Sequence, residues 1–162
     1  MSQNIHDELV ALLPRLRRFA HNLTKEAADA DDMVQIALER ALTRIEQRQV
    51  DSRLDSWMFK IVRNAWIDEV RARGRRNKIF LEAEAGENVG SEVMEKETTM
   101  MSVQAAMLKL SQEQREAVSL ALIEGLPYKE AAEVLDIPIG TLTSRLSRAR
   151  ETLQTLLGEE GR

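Results

Sequence analysis

Cysteine is absent from these 162 residues. That excludes disulfides, thiolate metal sites and a cysteine nucleophile. Aromatic residues are scarce, 4% against 43% hydrophobic residues, so a core must be built from Leu, Ile, Val, Ala and Met. Three prolines and seven glycines are too few to punctuate a sandwich or barrel, which favours an all-α fold. The longest apolar run, VSLALI, is far shorter than the roughly 20 residues that span a bilayer. The opening MSQNIHDELV lacks the basic and apolar segments of a signal peptide. The expectation is a cytoplasmic protein with no membrane contact of its own. His6 and His21 are isolated, and neither a paired metal-ligand motif nor a phosphate-cradling glycine loop is present. No metal, cofactor or enzymatic chemistry is therefore expected, and the scattered carboxylates read as helix surface.

Charge is present in quantity but unevenly spread. The formal net charge is -4, yet RARGRRNK at 71–78 carries Arg71, Arg73, Arg75, Arg76 and Lys78 with no acid. The following stretch carries Glu82, Glu84, Glu87, Glu92, Glu95 and Glu97 against Lys96 alone. A basic block running into an acidic, apolar-poor segment suggests a domain edge and a linker. This divides the chain into a first domain at 1–78, a linker at 79–99 and a second domain at 100–162.

Helical periodicity dominates both domains. Leu9, Leu12, Leu13, Leu16, Phe19, Ala20 and Leu23 recur at helical spacing, with Arg15, Arg17 and Arg18 mostly off that stripe. Asp29, Asp31 and Asp32 stand near the start of a second helix, where acids suit the positive end of the dipole. That helix continues through Met33, Val34, Ala37, Leu38, Ala41 and Leu42 and fades into a polar loop. A third begins near Asp55 or Ser56, both plausible caps. Trp57, Met58, Phe59, Ile61, Val62, Ala65, Trp66 and Val70 cover more than half of its circumference. Such a helix is central to its domain, and Trp57 and Trp66 read as core residues. Lys60, Arg63, Asn64, Asp68 and Arg71 form its one polar strip, the only face left for recognition.

In the second domain, helix resumes near Met100, with Met100, Met101 and Met107 as adaptable core filling. Ser111 and Gln114 have capping-box spacing, and Gly125 with Pro127 ends the helix they open. Beyond Tyr128 a short helix, the turn DIP and a longer helix from near Pro138 match a helix-turn-helix. On the longer helix Leu142, Leu146, Ala149 and Leu153 share the core side. Ser144, Ser147 and Arg148 lie opposite, Thr141 and Thr143 on the shoulders, and Arg145 and Arg150 on the flanks. Short hydroxyl side chains and Gly140 permit close approach, and arginine reaches phosphates or guanine. This surface suits DNA, although periodicity alone leaves an ordinary helical hairpin open.

The segment LSQEQREAVSLALIEGLPYKEAAEVLDIPIGTLTSRLSRARETL resembles the promoter-binding domain of bacterial extracytoplasmic function (ECF) sigma factors. ADADDMVQIALERAL resembles the family's core-polymerase-binding helix. LDSWMFKIVRNAWIDEVRARGRR resembles the helix that reads and melts the minus-ten element. The resemblance implies a stress-response transcription factor with core RNA polymerase as partner, through its β′ clamp helices and β flap. Promoter DNA and an anti-sigma factor are the other implied partners. It assigns Asp31, Asp32, Gln35 and Glu39 to polymerase, and Lys60, Arg63, Asn64 and Arg71 to minus-ten DNA. Thr141, Thr143, Ser144, Arg145, Ser147 and Arg148 fall to the minus-thirty-five element. Ile36 and Pro127 depart from the family's usual residues, as does the aromatic-poor loop QVDSRLDS. Two other functions fit parts of the pattern. A sigma-like mimic that sequesters an anti-sigma factor would not need the intact GTLTSRLSRAR face. A stand-alone helix-turn-helix regulator would not need the two first-domain helices.

Overall fold

The structure, a computed structural model, describes residues 2–48, 53–83 and 102–158. Among these residues every regular element is helical: α1 (Ser2–Thr24), α2 (Ala27–Arg44), a 3-10 turn (Ile45–Gln47), α3 (Leu54–Ala83), α4 (Val103–Lys109), α5 (Gln112–Val118), a π-helical turn (Ser119–Ile123), α6 (Tyr128–Leu135) and α7 (Ile139–Leu156). The all-α expectation holds.

α1, α2 and α3 pack on one another as a first bundle. The stripe foreseen on α1 supplies Leu16, Phe19, Ala20 and Leu23, all buried, against Val34 and Ala37 of α2 and Met58, Phe59 and Val62 of α3. Phe19 and Phe59 meet edge to face, with ring centroids 5.1 Å apart, a favourable arrangement of their quadrupoles. Trp57 and Trp66 are half-buried and pack against this core, consistent with core residues. α2 is capped by Glu26, whose carboxylate accepts from the Asp29 N–H at 2.9 Å.

α3 starts one residue before the expected caps. Asp55 does not cap the helix; its carboxylate accepts from the adjacent Ser56 N–H at 2.7 Å and pairs with Arg53 and Arg15. α3 also runs to Ala83, past the expected start of the linker. Residues 84–101, which hold most of the acidic segment with Met100 and Met101, lie outside the described residues.

The second bundle is built on short helices with strong ends. Ser102 caps α4, and the Ser111–Gln114 capping box is formed reciprocally at 3.1 and 3.3 Å. Met107 is buried, as core filling requires. After α5 the backbone widens into a π turn, and the Glu124 N–H donates to the Ser119 carbonyl at 2.8 Å. Gly125 then adopts φ +73°, a left-handed conformation that costs an L-residue about 1–2 kcal/mol.

The bundles share one continuous apolar core. α1 touches α5 and the π turn, and α3 touches α6. Charged groups line this junction. Glu124, with none of its side chain exposed, accepts from Arg18 Nε and Nη2 at 2.8 Å each and from Arg15 Nε at 3.2 Å. Arg15 also donates to the Glu124 carbonyl at 3.0 Å, lies over the Phe59 ring and pairs with Asp55 at 3.3 Å. Arg115, buried, donates to the Asn22 carbonyl near the end of α1 at 2.6 Å and to the Leu110 carbonyl at 2.8 Å. Burial holds its guanidinium below the ordinary arginine value, with Glu116 opposing that shift.

Candidate nucleic-acid interface

α6 and α7 form the helix-turn-helix. Its tight turn depends on Asp136 at φ +59°, where the Asp136 and Ile137 N–H groups donate to the Glu133 and Ala132 carbonyls at 3.1 and 3.0 Å. Aspartate tolerates this left-handed position better than most residues. Pro138 is the N-cap of α7, with no donor of its own to leave unsatisfied.

Leu142, Leu146 and Ala149 anchor α7 in the core, each at most 1% exposed. Ser144, Ser147 and Arg148 are exposed on the opposite side. Thr143 is exposed, but its hydroxyl donates to the Ile139 carbonyl at 3.0 Å, leaving only its acceptor lone pairs and methyl for a ligand. Thr141 is half-buried. Arg145 is half-buried and stands 3.7 Å from Glu113. A side chain added at Gly140 would meet nothing within 4 Å, so glycine there meets no packing need and leaves the outer side open. Arg150 donates to the Tyr128 hydroxyl at 3.4 Å, tying α7 to α6.

In the first bundle Asp31, Asp32, Gln35 and Glu39 are all exposed on α2. Their spacing of about one helical turn puts Asp31, Gln35 and Glu39 in a row, opposite buried Met33, Val34, Ala37 and Ala41. On α3, Lys60, Asn64 and Arg71 are exposed. Arg63 is not: its side chain is 18% exposed and lies 3.3 Å from Glu116 of α5. Asp68 pairs with Arg40 at 3.1 Å. The polar strip of α3 thus divides into free and engaged positions.

The basic block is likewise partly spent on the fold. Arg73 donates to both Asp29 oxygens at 2.7 and 3.1 Å and to Glu69 at 2.8 Å, and lies over the Trp66 ring. These hydrogen bonds hold the Asp29 and Glu69 carboxyls below their ordinary values and raise Arg73. Asp55 is also lowered: burial pushes it up, but Arg53, the Ser56 N–H and Arg15 together outweigh that. Residues 49–52 of the loop before α3 lie outside the described residues.

Glu116, Glu124 and Asp55 are buried, which corrects the expectation that the carboxylates are helix surface. For Glu116 and Glu124 the signal was present in REAVSLALIEG. Charges there interrupt a helix that is apolar nearly all round, and buried charges require partners. No group of His, Cys, Asp or Glu that would hold a metal occurs among the described residues. No described helix is long and apolar enough to cross a membrane.

A three-helix bundle with an acidic outer row, joined to a helix-turn-helix bundle, is the arrangement of sigma-70-type transcription factors. Sigma-70 region 2 matches residues 9–76 and Sigma-70 region 4 matches residues 100–153. The ECF RNA polymerase sigma factor EcfG of Rhodopseudomonas palustris is 35% identical over 99% of this chain and 89% of its own length. The ECF RNA polymerase sigma-E factor of Escherichia coli K12 is 31% identical over 78% of this chain and 73% of its own. Among solved structures, the sigma factor RpoE of Bartonella quintana, co-crystallised with the anti-sigma factor NepR, superposes with TM-score 0.80 at 33% identity. That match covers 96% of this chain and 98% of the other. The chain belongs to the ECF sigma factor family: it binds core RNA polymerase and directs promoter-specific initiation.

Proposed function

We propose that the two bundles divide the work of initiation at the residues their exposed faces present. Asp31, Asp32, Gln35 and Glu39 form the core-polymerase contact of α2, toward the β′ clamp helices, and the second domain meets the β flap. Lys60, Asn64 and Arg71, joined by Arg63 once it is released, engage the minus-ten strand. Ser144, Ser147 and Arg148 read the minus-thirty-five element, flanked by Thr141, Thr143 and Arg145. The domains are 1–78 and 100–162, with 79–99 as linker, into whose first residues α3 continues. The protein acts in the cytoplasm as a specificity subunit without chemistry of its own. Held on polymerase at promoter spacing, two modest DNA contacts combine through effective concentration. An anti-sigma partner is supported by the co-crystal of the Bartonella relative.

The observation that carries this reading is the α7 face. Ser144, Ser147 and Arg148 are exposed and without side-chain partners among the described residues, directly opposite a fully buried leucine row. No packing requirement explains those residues, whereas a major groove does.

The test is transcription from a random promoter library by purified core polymerase, with and without the protein. Protein-dependent transcripts that share two sequence blocks at fixed spacing are expected. Arg148→Ala should blur the upstream block and Asn64→Ala the downstream block. Transcripts without a common upstream block would remove α7 from promoter reading.

A further inference from the structure

Two of the arginines assigned to DNA above are already engaged, and by the same helix. Arg63 of the first bundle lies 3.3 Å from Glu116 Oε2, and Arg145 of α7 lies 3.7 Å from Glu113 Oε2. Glu113 and Glu116 stand about one turn apart on α5, so they share a face. Both pairs border one groove of about 510 Å³ between α3, α5 and α7, with Trp66 and Arg71 on its wall. A carboxylate beside a guanidinium offers the charge and paired acceptors that a phosphate also offers.

The two pairs differ in consequence. Glu113 has 68% of its side chain exposed, so its pair is screened and easily exchanged. Glu116 has 5% exposed, and besides Arg63 it has the Gln112 amide, which donates at 3.0 Å, and the charge of the neighbouring buried Arg115. A buried carboxylate that loses its cation is strongly disfavoured. Arg63 is therefore held against leaving for DNA while the bundles stay packed. Without it Glu116 would remain buried with only the Gln112 amide and Arg115, itself committed to the Asn22 and Leu110 carbonyls, to offset its charge. Nor is Arg63 ideally held: its buried Nε makes no aligned hydrogen bond, so a phosphate can replace Glu116 without loss of hydrogen-bond geometry.

We propose that α5 is an internal competitor of promoter DNA, with Glu116 and Glu113 occupying Arg63 and Arg145 until the two bundles part. Arg145 exchanges locally. Arg63 exchanges only with domain separation, so DNA capture by the first bundle and opening of the protein are one event. This rests on the assignment of both arginines to DNA.

The test is binding of the full chain to a fluorescent random-sequence forked duplex, followed by anisotropy from roughly 50 to 200 mM salt. Each arginine released to a phosphate steepens the log affinity against log salt slope by up to about 0.9. Glu113→Gln/Glu116→Gln should steepen it by up to about 1.8. At the low-salt end its affinity should gain on the order of tenfold over the high-salt end. Adding Arg63→Gln should take back about half of the steepening. Asp7→Asn/Glu8→Gln, two exposed charges on α1, controls for the net-charge change of the double variant, and Asp7→Asn alone for that of Glu113→Gln. Should helical content show that the double variant does not fold, Glu113→Gln alone is read, with a gain of about 0.9 expected. A slope no steeper than that of the control overturns the competitor. Polymerase-dependent transcription by Arg63→Gln and Arg145→Gln separates the two levels. If it is undiminished, the DNA assignment itself fails. If it is diminished while the glutamine variants gain nothing, only the competitor fails.

Discussion

Glu124 and Arg18 give a stability ordering that runs opposite to intuition. Glu124 is the buried member of the interdomain cluster, with 0% of its side chain exposed, while Arg15 and Arg18 keep 31% and 49%. Breaking a buried pair costs about 3–5 kcal/mol when the group left behind stays buried, whereas exposed pairs are worth about 0–1 kcal/mol. Glu124→Ala leaves two arginines that can turn to water, so its cost falls at about 1–3 kcal/mol. Arg18→Ala leaves the carboxylate buried with Arg15 alone and removes both 2.8 Å hydrogen bonds. Its cost should reach about 3 kcal/mol or more. Removing the half-exposed arginine is thus worse than removing the buried glutamate. The absence of native cysteine permits clean dye labelling at Thr43→Cys on α2 and Gln154→Cys on α7, both exposed. Energy transfer between them reports the closed fraction. A loss of about 2 kcal/mol lowers the closed-to-open ratio roughly 30-fold, and Arg18→Ala should shift it further than Glu124→Ala. Equal shifts, the reverse order, or no change in either variant would refute the assignment of this cluster as the clasp between the bundles.

Four further outcomes follow from local geometry. The Asp29 carboxyl is lowered by Arg73. Its contribution is therefore full above the unfolded value and is lost as pH falls through the folded one. Circular dichroism should show α2–α3 loosening only below about pH 4, and Asp29→Asn should remove that limb of the acid curve. Leu146→Ala, at a site 1% exposed, should cost about 2–5 kcal/mol in urea unfolding and weaken DNA binding without altering a DNA-facing atom. Ser147→Ala, by contrast, should change stability by no more than about 0.5 kcal/mol. Ser111→Ala breaks the capping box of α5 and should cost about 1 kcal/mol, read as a lower thermal midpoint of the second bundle.

Periodicity and punctuation made most of the fold legible. The leucine and phenylalanine stripe of α1, the Ser111 capping box and the Leu142–Leu146–Ala149 row all stand in the structure as the spacing requires. α3 starts at Leu54, within two residues of the expected position, but Asp55, which has the composition of a cap, is committed to Arg53 and Arg15 instead. Its partners lie on α1 and in the preceding loop, and no local pattern reveals them. The π turn leaves no mark in the sequence for a related reason. SLALI is apolar throughout, and a change from α to π spacing alters backbone bonding without altering composition.

Charge was the harder half of the sequence to read, because the sign of a residue does not say whom it faces. Arg63, Asn64 and Lys60 form one polar strip on the α3 wheel, yet among the described contacts Arg63 alone of the three is ion-paired with the second bundle, while Lys60 stays exposed beside α6. Arg73 sits in the basic block that suggests a domain edge, and it is held by Asp29 and Glu69 over Trp66. What separates a functional cation from a structural one is whether a carboxylate has already claimed it. On that criterion, of the arginines proposed above to meet DNA, Arg148 is unclaimed among the described residues, Arg145 is loosely held and Arg63 is firmly held. If the proposed competition by α5 holds, an acidic chain can carry DNA-reading surfaces because part of its acidity, at Glu113 and Glu116, holds them in the closed protein.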